Sequence, residues 1–215
     1  MTSGDPPNPI YGGYIRVKLP HNLPTLSCLY GIFVSVSSAA GYFYQTFLGY
    51  RTDGGWHLSA GSTNPALACD LACPPFQENG VQYAPIAGHQ FELGVKLDGS
   101  FAIAYFIDNT AGDYHEIFRL PDSTLVPGSV GAILEAYLID EGELARVGGD
   151  NSFEVTNCAW FTGPGLSTGW PRGQVYGPTS HTSGFEGVPH NVRIAYVAPQ
   201  HFFIGHKVGL AQPAW

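Results

Sequence analysis

The segment HQFELGVKLDGSFAIAYFID, residues 89–108, constrains the fold more than any other part of the chain. Phe91, Leu93, Val95 and Leu97 alternate with Gln90, Glu92 and Lys96, which is the two-residue period of a half-buried strand. Asp98 and Gly99 supply a turn, and a second run follows through Phe101, Ile103, Tyr105 and Ile107, so the segment is a β-hairpin. Strand-like runs recur at Tyr14 to Lys18, Leu29 to Val36, Tyr42 to Tyr50, Gly55 to Ala60, His115 to Arg119, Ala132 to Asp140, Ser152 to Ala159, Val192 to Val197 and Phe202 to Lys207. No window of a dozen residues carries a helical period. The expected architecture is all-β: a single domain over 1–215, folded as a two-sheet antiparallel β-sandwich of the jelly-roll type. Two segments, Thr63 to Ala84 and Phe161 to Pro189, read as long irregular loops of the kind that bind ligands or cover sheet edges.

Composition narrows the partners. Charged residues make up 12% of the chain and aromatic residues 13%, with 28 Gly and 17 Pro, which suits many short strands joined by tight turns. A formal net charge of -8 with 9 Lys plus Arg leaves no basic surface to track phosphates, so nucleic acid is not an expected partner. No apolar run reaches the roughly 18 residues that a membrane-spanning helix needs. The start, MTSGDPPNP, has neither the basic nor the apolar part of a signal peptide. A cytoplasmic location is expected if Met1 is the native start, and secretion if a leader has been removed. Cys28, Cys69, Cys73 and Cys158 allow either two disulfides or four thiols. Cys69 and Cys73, taken with His57 or His89, lack a second matching pair, so neither a metal site nor a cofactor is expected.

Two residues break the strand pattern. In GAILEAYLIDEG, residues 131–142, Glu135 shares a side with Ile133, Tyr137 and Ile139, while Ala132, Leu134, Ala136 and Leu138 occupy the other. A carboxyl on a strand covered by apolar residues on both sides loses hydration, which disfavours its charged form and suits it to proton transfer. The alternative is a structural one, in which Glu135 pairs with Arg51 or Arg193 or faces a solvated edge. In GYFYQTFLGYRTDGGW, residues 41–56, Gln45 shares a side with Phe43 and Phe47, and its amide can donate and accept hydrogen bonds. If it opposes Glu135, the pair combines a proton-transfer group with a donor for developing oxyanion charge. Alone, it is a structural glutamine.

The order of these features resembles the fungal glutamic peptidases, the eqolisins. YGGYI at 11–15 is similar to the family's opening strand, with two glycines after an aromatic residue. YQTFLGY at 44–50 resembles its Leu-Gln-Thr-Gly segment, and LEAYLID at 134–140 its Ala-Glu-Trp-Ile-Val-Glu strand. Ser152-Phe-Glu-Val-Thr-Asn-Cys is similar to its Val-Thr-Phe-Thr-Asn strand. The resemblance implies a sandwich of two seven-stranded sheets, with Gln45 on the catalytic glutamine and Glu135 on the catalytic glutamate. The chain departs from the pattern where the family has Trp-Val-Gly-Ile-Asp-Gly: it reads GIFVSVSSAAG at 31–41, with Phe33 for the tryptophan and no aspartate. That departure points away from proteolysis at low pH.

The expectation is therefore an enzyme in which Glu135 and Gln45 drive dehydration or cyclisation of a small, mostly apolar molecule. Phe43, Phe47, Tyr137, Tyr105, Trp56 and Trp170 are the candidate lining residues. The alternatives are an acid peptidase acting on polypeptides through the same pair, and a lectin-like module that binds sugar on exposed rings.

Overall fold

The computed structural model describes residues 11–26, 29–38, 40–51, 54–67, 71–73, 76–78, 83–98, 100–122, 127–137, 153–163, 166–169, 192–198 and 201–206. Among them are fourteen strands: β1 (Gly12–Lys18), β2 (Leu29–Ser38), β3 (Phe43–Arg51), β4 (Gly55–Ser62), β5 (Leu71–Cys73), β6 (Phe76–Glu78), β7 (Gln90–Asp98), β8 (Phe101–Asp108), β9 (Asp113–Pro121), β10 (Pro127–Tyr137), β11 (Phe153–Gly163), β12 (Leu166–Gly169), β13 (Val192–Ala198) and β14 (His201–His206). No helix of the described residues is long and apolar enough to cross a membrane.

The strands form two antiparallel sheets, as the alternation implies. One has eight strands, in the order β13-β14-β11-β1-β7-β8-β9 with β12 paired to β11; the other has six, in the order β10-β2-β3-β4-β6-β5. The hairpin at 89–108 forms in the expected register, from Phe91 opposite Asp108 to Asp98 opposite Phe101. Three short strands, β5, β6 and β12, fall in segments expected to be irregular. Runs of three or four residues are too short for a two-residue period to stand out among Pro, Gly and Ser.

Ile15, Val17, Leu93 and Val95 of the larger sheet meet Val34, Val36, Leu48 and Leu58 of the smaller one in a single buried core. Tyr44 and Thr46 carry hydroxyls into it, and both are paired. The Tyr44 hydroxyl donates to Asp122 Oδ2 at 2.6 Å and accepts from Asn64 Nδ2 at 2.9 Å. Thr46 Oγ1 donates to the Gly94 carbonyl at 2.7 Å, tying β3 to β7 across the interior. An unmade bond at either site would leave a desolvated polar group, which is costly.

Cys158 is a buried free thiol, its pKa pushed up by burial to about 12. The alternative with two disulfides therefore does not hold. Cys28 and Cys69 lie outside the described residues.

Candidate active site

β10, β2, β3 and β4 are consecutive neighbours, so their registers define rows of residues running across the six-stranded sheet. Residues paired directly across antiparallel strands lie on the same face. Even positions of β3, namely Tyr44, Thr46, Leu48 and Tyr50, are buried against the other sheet. Odd positions, Phe43, Gln45, Phe47 and Gly49, belong to the opposite, outer face.

Three rows of that outer face matter. The first runs Glu135–Gly31–Gly49–His57. The second runs Ile133–Phe33–Phe47–Ser59. The third runs Gly131–Ser35–Gln45–Gly61–Glu78. Glu135 and Gln45 thus share a sheet and a face, but they stand two strands and four positions apart. At about 3.4 Å per residue and 4.8 Å per strand, their Cα atoms are roughly 16 Å from each other. That exceeds what a glutamate and a glutamine side chain together can span, and the Phe33–Phe47 row lies between them.

Sequence spacing could not reveal this offset, because the register depends on where the β2–β3 hairpin closes. It closes at residues 38 to 42, where the Ser38 amide donates to the Tyr42 carbonyl. That turn sets Gln45 opposite Ser35, and Gly49 opposite Gly31. The residues that do share rows with the two candidates are His57, with Glu135, and Glu78, with Gln45. In the sequence His57 stands out only as a possible metal ligand beside Cys69 and Cys73, and Glu78 lies in a strand too short to be recognised.

His57 is 4% exposed although it faces away from the inter-sheet core. Its Nδ1 lies 3.2 Å from the Gly55 carbonyl. A carbonyl can only accept, so in this contact Nδ1–H is the donor. The ring reaches from β4 over β3: a Cβ added at Gly49 would lie 3.4 Å from His57 Cε1 and Nε2, and 3.3 Å from Phe47 Cδ2. Phe47 meets the imidazole edge-on, with centroids 5.9 Å apart. Glycine at 49 lets both rings lie down on the sheet. At Gly31 an added Cβ would lie in ordinary contact with backbone of β3, the Leu48 carbonyl at 3.4 Å and the Gly49 Cα at 3.8 Å.

This arrangement of two sheets is shared with solved proteins. A scytalido-glutamic peptidase, determined with a peptide-based transition state analogue, superposes with a TM-score of 0.55 at 10% identity, covering 92% of each chain. SCP-B, a member of the eqolisin family of peptidases in complex with the tripeptide Ala-Ile-His, gives a TM-score of 0.56 at 10% identity over 96% of this chain and 94% of its own. The chain has a glutamic-peptidase-like fold. No family model matches it, and no curated protein matches its sequence.

Within the glutamic-peptidase-like fold the expected lining residues divide. Phe43 and Phe47 lie on the outer face with Gln45, and Tyr137 takes a position on that face two residues beyond Glu135. Tyr105 does not belong to this surface. It lies on β8 of the other sheet, its ring laid across Gly94 so closely that a Cβ there would be 2.2 Å away. Burial, then the charge and hydrogen bond of Glu92, push its phenol pKa far up. Its hydroxyl donates to Glu92 Oε1 at 2.9 Å, and Arg16 Nε donates to Glu92 Oε2 at 2.8 Å. Trp56 is also elsewhere: it sits in the row of Tyr50, edge-on to Tyr50 and Phe153, and donates Nε1–H to the Pro24 carbonyl at 2.7 Å. Large rings fill the ends of the core as readily as they line a groove, and the sequence does not distinguish the two. Trp170 lies outside the described residues. Among the described residues no group of His, Cys, Asp and Glu is arranged to hold a metal ion.

Proposed function

We propose that the chain is a cofactor-independent enzyme that uses Glu135 as an acid–base group in the dehydration or cyclisation of a small, largely apolar molecule. The observation that carries this reading is the row of Glu135, which continues through two glycines to a histidine and contains no amide. A peptidase working through a glutamate and a glutamine needs the amide beside the carboxyl, to hold the tetrahedral oxyanion as it forms. Here Gln45 is four positions away, beyond two phenylalanines. Two glycines bordered by Phe33 and Phe47 instead suit a flat, apolar guest.

The test compares wild type with Glu135→Gln. Each protein is incubated with an extract of the cells the gene comes from, and the products are followed by mass spectrometry. A species consumed by wild type, with loss of water or formation of an isomer, and untouched by Glu135→Gln is the expected result. Equal conversion by both proteins would remove Glu135 from the chemistry.

A second reading is favoured by the fold itself and by the common face of Glu135 and Gln45: an acid peptidase in which Glu135 activates water and protonates the leaving amine. Casein and unstructured peptides, assayed between about pH 2 and 5, where paired carboxyl groups commonly operate, decide between the two. Cleavage that disappears in both Glu135→Gln and Gln45→Leu would establish the peptidase.

A further inference from the structure

We propose that the outer face of the eight-stranded sheet binds an acidic oligosaccharide, with Arg16 holding the carboxylate of a sugar acid and the exposed ring of Tyr114 supporting a sugar further along. This face belongs to the other sheet from Glu135, and its assignment is independent of the chemistry there. Ile15, Val17, Leu93 and Val95 are core residues, so the alternate positions Arg16, Glu92 and Lys96 belong to the outer face. One row of that face runs Asn157–Arg16–Glu92–Ile107–Tyr114, and the next contains Tyr14, Gly94 and Tyr105. Glu92 is 6% exposed, and its two carboxylate oxygens are taken by the Tyr105 hydroxyl and by Arg16 Nε. Arg16 commits only Nε to that bond. Its guanidinium also lies over the Tyr14 ring, 5.3 Å from the centroid, so it is held from two sides. Nη1 and Nη2 donate to no described residue, and the side chain is 39% exposed. An arginine fastened at Nε keeps its pair of terminal amines for a guest, and a carboxylate fits that pair with two parallel hydrogen bonds.

Asn157 stands directly across the β1–β11 pair from Arg16. Its Nδ2 donates to the Tyr14 hydroxyl at 3.2 Å, and its Oδ1 accepts from no described residue. A carboxylate receptor beside an acceptor for a hydroxyl matches a sugar acid, in which the carboxylate and the ring hydroxyls are neighbours. An aromatic acid would use the amines of Arg16 and leave Asn157 Oδ1 unmet. The rest of the face calls for more than one sugar. Tyr114 lies in the same row, three strand spacings or roughly 14 Å from Arg16. Its ring is 49% exposed and stacks on Tyr105 with centroids 5.6 Å apart, which offers a flat apolar surface with a polar edge. Lys96 Nζ lies 5.7 Å from the Tyr105 centroid and forms no ion pair with a described residue. Lys18 and Arg119, also on this face, are answered by Glu154 and Glu116, so Arg16 and Lys96 are the cations left to meet carboxylates of a guest. In a chain of net charge -8 a local excess of this kind decides where an anion is drawn.

Isothermal titration calorimetry of the full chain with tri-galacturonate tests this, with the methyl ester of the same trisaccharide as the uncharged control. Wild type should bind the acid, lose affinity as salt rises, and bind the ester about tenfold more weakly or worse. Arg16→Lys keeps a cation for Glu92 but has no pair of amines, and should lower the affinity by about tenfold or more with a melting temperature close to wild type. Asn157→Ala and Tyr114→Ala, at more exposed positions, should each lower it by about threefold or more, and they decide the matter if Arg16→Lys does not fold. No binding of tri-galacturonate at low salt, equal affinity for acid and ester, or unchanged affinity in these variants would overturn the proposal. Binding of 4-hydroxybenzoate as tight as that of tri-galacturonate would show that the face takes an aromatic acid and not a sugar. Glu135→Gln should bind as wild type does. Binding lost there and kept in Arg16→Lys would move the saccharide to the other sheet and end the assignment of this face.

Discussion

The two faces of β3 are built from the same nine residues and treat their polar groups in opposite ways. On the inner face the Thr46 hydroxyl bonds to Gly94 of the other sheet, and the Tyr44 hydroxyl to Asp122 just beyond the end of β9. On the outer face no hydrogen bond joins the Gln45 amide to a described residue, and Gly49 leaves its place to the rings of Phe47 and His57. These two hydroxyls are committed to holding the core together. The difference separates what this sandwich needs in order to fold from what it has kept for chemistry, and it can be broken from either side.

The largest effect is expected at Glu135. Replacing a general acid–base group commonly costs 10²–10⁴ in rate, so Glu135→Gln should lose about that much turnover while its melting temperature stays close to wild type. A marked loss of stability with little loss of rate would mean that the outer face is a second core face and that the distinction is false.

The inner face should fail in the opposite sense. Tyr44→Phe removes the donor to Asp122, a carboxyl buried to 3% exposure. A hydrogen bond to a charged group of this kind contributes about 2 kcal/mol, which lowers the melting temperature by about 4–8 °C in a chain of this size. Turnover per folded molecule should be unchanged. A fall in that turnover would couple the inner network to the site.

Much of this division was legible before any coordinates. Alternation placed Tyr44 and Tyr50 opposite Gln45, and grouped Glu135 with Ile133 and Tyr137, because the side of a strand on which a residue lies depends only on its parity. It could not place Glu135 relative to Gln45, since register depends on the closing turn, and moving that turn shifts a whole strand against its neighbour. Nor could it separate Phe47, on the outer face, from Trp56 and Tyr105, which the same bulk sends to the core end and to the other sheet. His57 was visible only as a possible companion of Cys69 and Cys73. Its significance comes from a row that joins three hairpin-linked strands to β10, some eighty residues further along the chain.

The committed polar groups of the larger sheet offer a pH test. Burial alone would raise the pKa of Asp108, but the hydrogen bond from His89 at 2.7 Å, with those from the Ala111 and Thr110 amides, outweighs it and holds the carboxyl below its ordinary value. A carboxyl more acidic folded than unfolded contributes stability that is fully present above the ordinary aspartate range near 4 and is lost as pH falls through the lower folded value. Urea midpoints for wild type should therefore drop below about pH 4, and Asp108→Asn should show a flatter acid limb. Parallel limbs in the two proteins would mean that the pair does not link folding to protonation. A peptidase working near pH 2 to 5 would lose this contribution over part of its range, whereas chemistry near neutrality would keep it.

The smallest expected effect is the most discriminating. Gln45→Leu keeps the volume and sits comfortably between Phe43 and Phe47, so with Glu135 working without the amide it should alter turnover by less than about threefold, the scale on which remote surface changes act. Were the amide the oxyanion donor, its loss would cost about 10²–10³. A large loss at Gln45 joined to a small one at Glu135 would be informative in its own right. It would move the working carboxyl to the row that Gln45 belongs to, where Glu78 lies across Gly61 on the same face. Glu78→Gln would then carry the rate deficit assigned here to Glu135→Gln, and the Phe33–Phe47 row would bound the site from the other side.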